Sequence, residues 1–325
     1  MRFALHAAVL APSVHNTQPW RFHIYETDDP YLELLMDPGR ELPALDPSHR
    51  QLIMSCGAAL AGYEIGLRSL GLEPIVELIP KDATDPACLA RVRVRELGTA
   101  DPEARGLLSV LQDRRTYRGP MTEQALSEAV RGTLVAAASA GSALEVVADD
   151  HWRAVEHLVV MSAIELSDTT DVDAEVRNWT RLDERTSDGV PAANWQRTSE
   201  QTAGAPVVQR DFAQGRPLPG EPVETGVEGD PLLAVLLTPS DTAVDWLRAG
   251  EDLLRIALAA HAIDVAFGYV NQPTEVPGMR ERLTQLLQPM PEGFAVPQVV
   301  VRLGYPAEAL PPVTPRRTVS TVLLG

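Results

Sequence analysis

The sequence is poor in features that assign a function at sight. It holds two cysteines in 325 residues, Cys56 and Cys88, too few for a disulfide framework and not spaced as C-x-x-C or a zinc set. Both read as small apolar residues of a packed interior, in keeping with a reducing compartment. No apolar run approaches the roughly 18 to 20 residues that cross a bilayer, and Met1 to Leu10 lacks the basic start and cleavage site of a secretory signal. A cytoplasmic location without membrane attachment is expected. Positive charge is scarce: 28 Lys and Arg against 45 Asp and Glu leave a formal net charge of −17. Such a chain repels a polyanion, which excludes a general nucleic-acid surface. There is no G-x-S-x-G elbow, P-loop, H-E-x-x-H or G-x-G-x-x-G fingerprint. The seven histidines are scattered, so no metal is expected, and His15 reads as a surface or supporting loop residue.

What is present is a globular composition, 45% hydrophobic, enough for one large domain or two ordinary ones. Apolar spacing predicts a short helix over the first ten residues, stopped near Pro12, and a strand over Trp20 to Tyr25. After a turn-rich stretch from Asp28 to Ser48, a helix is predicted over 51–72, then strands at 74–80 and Ala90 to Glu96. A second unit opens near Asp113, with a helix over Glu123 to Ala138, a strand at Leu144 to Ala148 and a helix from Asp150 to Leu166. Residues 183–231, rich in glycine and proline, read as a long loop, either a functional lid or a segment without fixed structure. Beyond it come a strand (Leu232 to Thr238), a buried helix (Trp246 to Val265) and a strand (Pro297 to Leu303).

An internal repeat emerges when Gly57 is set against Gly250. Leu60 then falls on Leu253, Ile65 on Leu258, Leu70 on Ile263 and Leu72 on Val265, one apolar face in register over four turns. A second match aligns LHAAVLAPSVHNTQPWRFHI with TLVAAASAGSALEVV as helix, small-residue loop and strand. The second copy lacks the Pro, Asn, Gln and Trp. The chain reads as two related halves, 1–105 and 106–325, of which one keeps a polar loop.

That loop, Pro12 to Pro19, offers Ser13, Asn16, Gln18 and backbone groups that suit a flat heterocycle with imide-type donors and acceptors. It reads equally as an ordinary capped helix end. The segment Arg114-Arg115-Thr116-Tyr117-Arg118 places three guanidiniums within five residues, able to hold a dianionic phosphate or to form a solvated basic turn. Arg316-Arg317 is the other adjacent arginine pair.

Pro12-Ser13-x-x-Asn16-x-Gln18-Pro19-Trp20 resembles the flavin-contacting loop of the nitroreductase superfamily, and Arg114-Arg115-Thr116-x-Arg118 resembles its basic R-x-S-x-[KR] motif. With DPSHRQLIMSCGAAL, DGVP, VNQP and RLGYP…TPRR, the chain is similar to the Acg family of actinobacterial nitroreductase-like flavoproteins over most of its length. The resemblance implies an α+β fold of two pseudo-symmetric halves, each an antiparallel sheet flanked by helices, fused into a monomer with one FMN. In typical relatives the basic motif precedes the loop and the site is shared across a homodimer. Here the order is reversed, as a fused chain with one complete site would require.

By the same resemblance, Arg114, Thr116 and Arg317 would hold the FMN phosphate, with Arg115 in the cluster and Arg316 a helper. Arg118 would face the pyrimidine edge, where positive charge favours the reduced cofactor. Pro12, Ser13, Val14 and Asn16 would contact the flavin, and Gln18 would support the loop. The stretch over flavin N5 would be Val270-Asn271-Gln272, in place of the usual Glu-Gly ending, which leaves the N5 donor open. The activity implied is hydride transfer from NAD(P)H through FMN to a quinone, nitro compound or other electron-poor acceptor. The alternative is FMN storage beneath a lid.

Overall fold

In the computed structural model, which describes residues 1–182, 186–195, 210–212, 214, 229 and 231–325, the chain opens with a short helix, α1 (Leu5–Ala8). The polar loop leads into a hairpin, β1 (Trp20–Tyr25) and β2 (Tyr31–Met36). β2 lies where only turns were expected. The central Glu33 disguised it, and that carboxylate is buried against Arg91 at 2.9 Å. The long helix α2 (Arg50–Ser69), β3 (Leu72–Leu78) and β4 (Cys88–Glu96) follow.

The next helix, α3 (Pro102–Asp113), was not anticipated, although its start is written in the sequence. The Asp101 side chain accepts from the amides of Glu103 and Ala104, with Pro102 opening the helix. Ser127 caps α4 (Glu128–Ala136), which therefore begins later than Glu123. Then come β5 (Ala143–Val146), α5 (Asp149–Ser167), α6 (Thr170–Asn178), the two-residue strands β6 (Thr180–Arg181) and β7 (Val190–Pro191), and β8 (Leu232–Thr238). A capping box of Thr242 and Asp245 starts α7 (Ala243–Ala262). The chain ends through β9 (Ala266–Tyr269), α8 (Met279–Leu286), β10 (Val296–Gly304), α9 (Val319–Val322) and β11 (Leu323–Leu324). α6, α8 and β9 were also missing from the expectation.

The fold is α+β. One sheet runs β11-β1-β2-β4-β3 and another β5-β8-β10-β9. Every pairing is antiparallel except β11 on β1 and β6 on β7. The C-terminal strand thus returns to the sheet of residues 1–105, across the expected boundary. Among the described residues no helix is long and apolar enough to cross a membrane.

Between the sheets, α2 packs on α7 through the glycines that aligned in the repeat. Gly57 lies against the backbone of Leu247, three residues before Gly250, and Gly250 lies against Met54, three residues before Gly57. That reciprocity is what a pseudo-twofold axis between two like helices produces. The loop of the second half is closed by Asp252 of α7. Its carboxylate accepts from the amides of Ser139 (2.8 Å), Ala140 (2.7 Å) and Ser142 (3.1 Å), and from the Ser142 hydroxyl (2.7 Å).

The stretch 183–231 lies largely outside the described residues. Of its described part, Val190, Ala192, Trp195 and Phe212 share a buried cluster with Leu42, Leu45, Val172 and Val176.

Candidate functional site

A cleft beside α2, with about 1100 Å³ of free space partly open to solvent, gathers residues from both halves. α2 contributes Gln51, Met54, Ser55 and Ala58, a single helical face. Three segments form much of the remaining wall, and alternate side chains face the cleft in each until Asn271, whose backbone is helical (φ −81°, ψ −4°) and which Gln272 follows on the cleft. Arg114, Thr116 and Arg118 face the cleft, whereas Arg115 folds back onto the Asp113 carbonyl and the Tyr117 hydroxyl donates to the Pro120 carbonyl at 2.7 Å. Tyr269 and Asn271 face it, whereas Val270 is fully buried in the core behind. Thr314 and Arg316 face it, whereas Arg317 points away.

Of the residues singled out in the sequence, the structure brings Pro12, Ser13, Val14, Asn16, Arg114, Thr116, Arg118, Asn271, Gln272 and Arg316 to one cleft. It does not bring Gln18, Arg115, Val270 or Arg317. Of the two tail arginines, Arg316 lines the cleft and Arg317 does not. Arg317 donates to the Gln18 carbonyl at 3.1 Å and the Thr321 carbonyl at 3.1 Å, with Asp37 at 3.7 Å. It braces the loop from behind, and Arg316 is the one on the cleft wall.

The loop's polar groups serve mainly as fastenings. Gln18 Nε2 donates to the Ser187 carbonyl at 2.8 Å, and its Oε1 accepts from the Arg317 amide at 2.8 Å. Asn16 Nδ2 donates to the carbonyls of Gly189 (2.8 Å) and Pro315 (3.2 Å). Ser13 Oγ accepts from the Gln18 amide at 2.9 Å. These bonds hold His15, Asn16 and Gln18 at φ 45°, 54° and 51°, a left-handed geometry uncommon for such residues. The loop thereby ties together the DGVP segment, the C-terminal tail and the entrance to β1.

The arginines give the cleft its electrostatic character. Arg114 is 4% exposed, and among the described residues its Nε and Nη1 have no partner. Burial lowers its pKa, as does Arg115 beside it. Burial, then the charge of Arg114, pushes Arg316 down to about 9. Burial, then Arg302 and Arg114, brings Arg118 to about 10, with Tyr269 pulling the other way. The Tyr269 hydroxyl is raised by burial and drawn back by Arg114, Arg118 and Arg316, so it marks where the three converge. Among the described residues no carboxylate pairs with Arg114 or Arg316, in a chain of net charge −17. Arg114 is buried and Arg316 half-buried with its Nε shut off from water; cations so placed without counterions are costly to maintain, and their natural complement is an anion.

On the opposite wall Arg210 is paired with Glu275. Phe212 stands edge-on to the His15 ring at 5.4 Å, and the Arg118 guanidinium lies over its ring at 5.0 Å. His15 is therefore 8% exposed rather than a surface residue. Its pKa lies well below the ordinary value through burial, then the charges of Arg210 and Arg118, so the ring is neutral. Among the described residues no cluster of metal-ligating side chains occurs.

Two proteins of Mycobacterium tuberculosis match almost the whole chain, each bearing the name "Putative NAD(P)H nitroreductase". One is 32% identical over 334 residues, 99% of this chain and 90% of its own. The other, designated acg, is 30% identical over 329 residues, 99% of this chain and 94% of its own. The chain belongs to the Acg family of the nitroreductase superfamily. No protein-family model matches it. Solved structures similar to it include a nitroreductase with bound FMN from Bacteroides fragilis, 15% identical, covering 67% of this chain and 98% of its own at TM-score 0.41. Another, from Anabaena variabilis, is 10% identical, covering 91% of this chain and 82% of its own at TM-score 0.47. Superpositions that loose carry no residue correspondence.

In this Acg-family chain, reading the sequence missed Gln51, Ser55 and Met54, taken there as part of a core helix, and Tyr269, Glu275, Arg210 and Phe212. Polar Gln51 and Ser55, four residues apart in an otherwise apolar helix, were the available signal.

Proposed function

We propose that this chain is an FMN-dependent oxidoreductase of nitroreductase type, taking hydride from NAD(P)H and reducing a quinone, nitro compound or similar electron-poor acceptor. The observation that carries the reading is the pair Arg114, buried, and Arg316, half-buried, unmatched by carboxylates among the described residues and facing one cleft. A phosphate monoester is the dianion such a pair suits, with the Thr116 hydroxyl on the same cleft. Thr314, beside Arg316 on the same wall, adds a second hydroxyl. Met54, Ala58, Leu253 and Val299 give an apolar floor for a flat ring system, and Pro12 to Asn16 form its rim.

Bound there, FMN would supply the hydride and electron chemistry. The protein's share is orientation and electrostatics. Arg118 holds positive charge at the cleft, and the Phe212 ring and the Arg210–Glu275 pair exclude water from the opposite wall. His15 stays uncharged, so it adds hydrogen-bonding capacity without a further cation. Both halves of the site reside in one chain, and we expect a monomer binding one FMN.

A second reading, FMN storage with little turnover, is favoured by one observation: Phe212, from within the candidate lid, packs on His15 and Arg118 inside the cleft. Hydride access separates the two. The FMN-loaded protein is mixed with excess NADH or NADPH without oxygen and the flavin absorbance followed. Prompt bleaching supports the oxidoreductase; persistent yellow colour with FMN retained supports storage. Failure to take up FMN removes both.

A further inference from the structure

The hydrogen bonds behind the cleft run in one direction, and the direction can be read from groups that have no choice. Arg50 is buried at the start of α2 and can only donate. Its Nη2 reaches the Thr274 hydroxyl at 3.2 Å and the Thr274 carbonyl at 2.9 Å, and its Nη1 reaches the Gln298 side-chain oxygen at 3.2 Å. With Arg50 as donor, the Thr274 hydroxyl hydrogen points onward to Asn271, whose Oδ1 lies at 2.8 Å and whose backbone carbonyl lies at 3.0 Å.

The Val300 backbone amide, another obligatory donor, reaches the same Oδ1 at 3.2 Å. That backbone donor fixes which end of the Asn271 amide is oxygen, an assignment that otherwise rests on choice between near-identical shapes. Asn271 Nδ2 therefore faces Gln51, and it lies 3.1 Å from Gln51 Oε1. The Gln51 amide is oriented in turn, with its Oε1 toward Asn271 and its NH₂ turned away from it.

Among the described residues that NH₂ group has no partner. Gln51 is 7% exposed, lines the cleft, and its Nε2 is buried without an acceptor. A buried donor left unmade costs free energy, and here four residues from three parts of the chain cooperate to aim it.

We propose that Gln51 Nε2 is a hydrogen-bond donor to an acceptor atom, a ring nitrogen or carbonyl oxygen, of the flavin ring system, with Asn271 as the positioning residue that fixes its polarity. The assignment rests on the FMN reading above. The sequence left the donor to the flavin open, and the Asn271 amide is turned to Gln51. Asn271 is the junction between the rigid Arg50–Thr274 pair and the cleft, and Gln51 is the group that touches the cofactor.

The test uses the full-length protein, FMN titrated by quenching of flavin fluorescence, and the midpoint potential and visible spectrum of the bound cofactor. Gln51→Glu keeps the shape but presents oxygen where the structure presents N–H. It is expected to weaken FMN about tenfold, to shift the potential to more negative values and to alter the visible bands. Gln51→Ala should weaken FMN by a similar factor with a smaller shift in potential. Asn271→Asp keeps the acceptor for Val300 and Thr274 but cannot donate to Gln51, whose amide then turns its oxygen to the cleft. It should reproduce the Gln51→Glu shift in the native background and have little effect once Gln51 is alanine.

Thermal melting checks that each variant is folded, and Gln51→Glu serves if the alanine variant is not. If the unmodified protein binds no FMN, the FMN reading fails and the assignment goes with it. If it binds FMN and the Gln51 variants match it in affinity, potential and spectrum, the Gln51 assignment alone is overturned. Equal effects of Asn271→Asp in both backgrounds would overturn the positioning role.

Discussion

Asn16 and Arg316 stand 300 residues apart and meet at 3.0 Å, Oδ1 to Nη1. The bond joins the first loop to the C-terminal tail and sets Arg316 on the cleft wall. Its other partners are neutral as well, the Thr314 and Pro315 carbonyls at 3.1 Å, the Leu10 carbonyl at 3.5 Å and the Thr314 hydroxyl, and among the described residues its Nε is buried without a partner. Its charge is thus left for something that enters the cleft.

Replacing Arg114 and Arg316 together by alanine should weaken FMN at least about tenfold, since each charged hydrogen bond contributes roughly 1.5 to 3 kcal/mol. Riboflavin, which lacks the phosphate, should lose much less. Arg317→Ala should instead lower the melting temperature and leave the FMN-to-riboflavin preference intact. Parallel fluorescence titrations with the two ligands decide this, and an unchanged preference in the double variant would refute the phosphate assignment.

A methyl group has no room where α2 meets α7. A Cβ on Gly57 would lie 2.0 Å from the Leu247 carbonyl oxygen, and one on Gly250 1.9 Å from that of Met54. Both obstacles are backbone, so the helices must separate. Gly57→Ala and Gly250→Ala should each destabilise by about 2 kcal/mol or more, measured by urea unfolding, although alanine is the better helix former.

Beside that contact, Glu64 and Glu251 are both buried at 7% exposure. Glu251 is pushed up to about 8, by burial first and then by the Glu64 charge; Arg255 opposes the shift. A carboxyl whose folded pKa is raised contributes stability that is fully present below its unfolded value near 4.5 and is lost as pH rises through about 8. Melting temperature should fall between pH 5 and 8 by about 2 °C or more relative to Glu251→Gln, which cannot ionise. Parallel melting curves of the two proteins across that range would show no divergence if the pair were not strained.

Opening the outer wall should change access rather than affinity for the phosphate. Phe212→Ala removes the ring that packs on His15 and Arg118. Under the storage reading it should speed anaerobic bleaching by NAD(P)H about tenfold or more, the factor for roughly 1.4 kcal/mol of barrier. Stopped-flow traces at 450 nm, roughly where oxidised flavins absorb, make the comparison. An unchanged rate would mean that Phe212 does not obstruct the donor.

The sequence disclosed the large-scale plan through its strongest periodicities. α2 and α7 were legible from apolar spacing, and the register of Gly57 with Gly250 anticipated their reciprocal packing. α3 was overlooked despite Asp101-Pro102-Glu103 at its start, because half of its residues face solvent and its apolar stripe is narrow. β2 was hidden by Glu33, whose partner Arg91 lies 58 residues away and so cannot be found by local pattern. At the cleft, adjacent residues were grouped when the extended backbone separates them. Counting by twos along 114–118, 269–271 and 314–317 would have set aside Arg115, Val270 and Arg317. Gln51 needed more than counting, since its role follows from Val300 and Thr274, whose proximity only folding creates.

Asp252 has a consequence for stoichiometry. By engaging three amides and a hydroxyl of the Ser139–Ser142 loop, it leaves the counterpart of the Pro12–Pro19 loop already saturated from within. A chain built on a twofold plan then titrates as an odd one: its isotherm should be hyperbolic, reach its plateau at a single equivalent, and show none of the cooperativity that twin seats would permit.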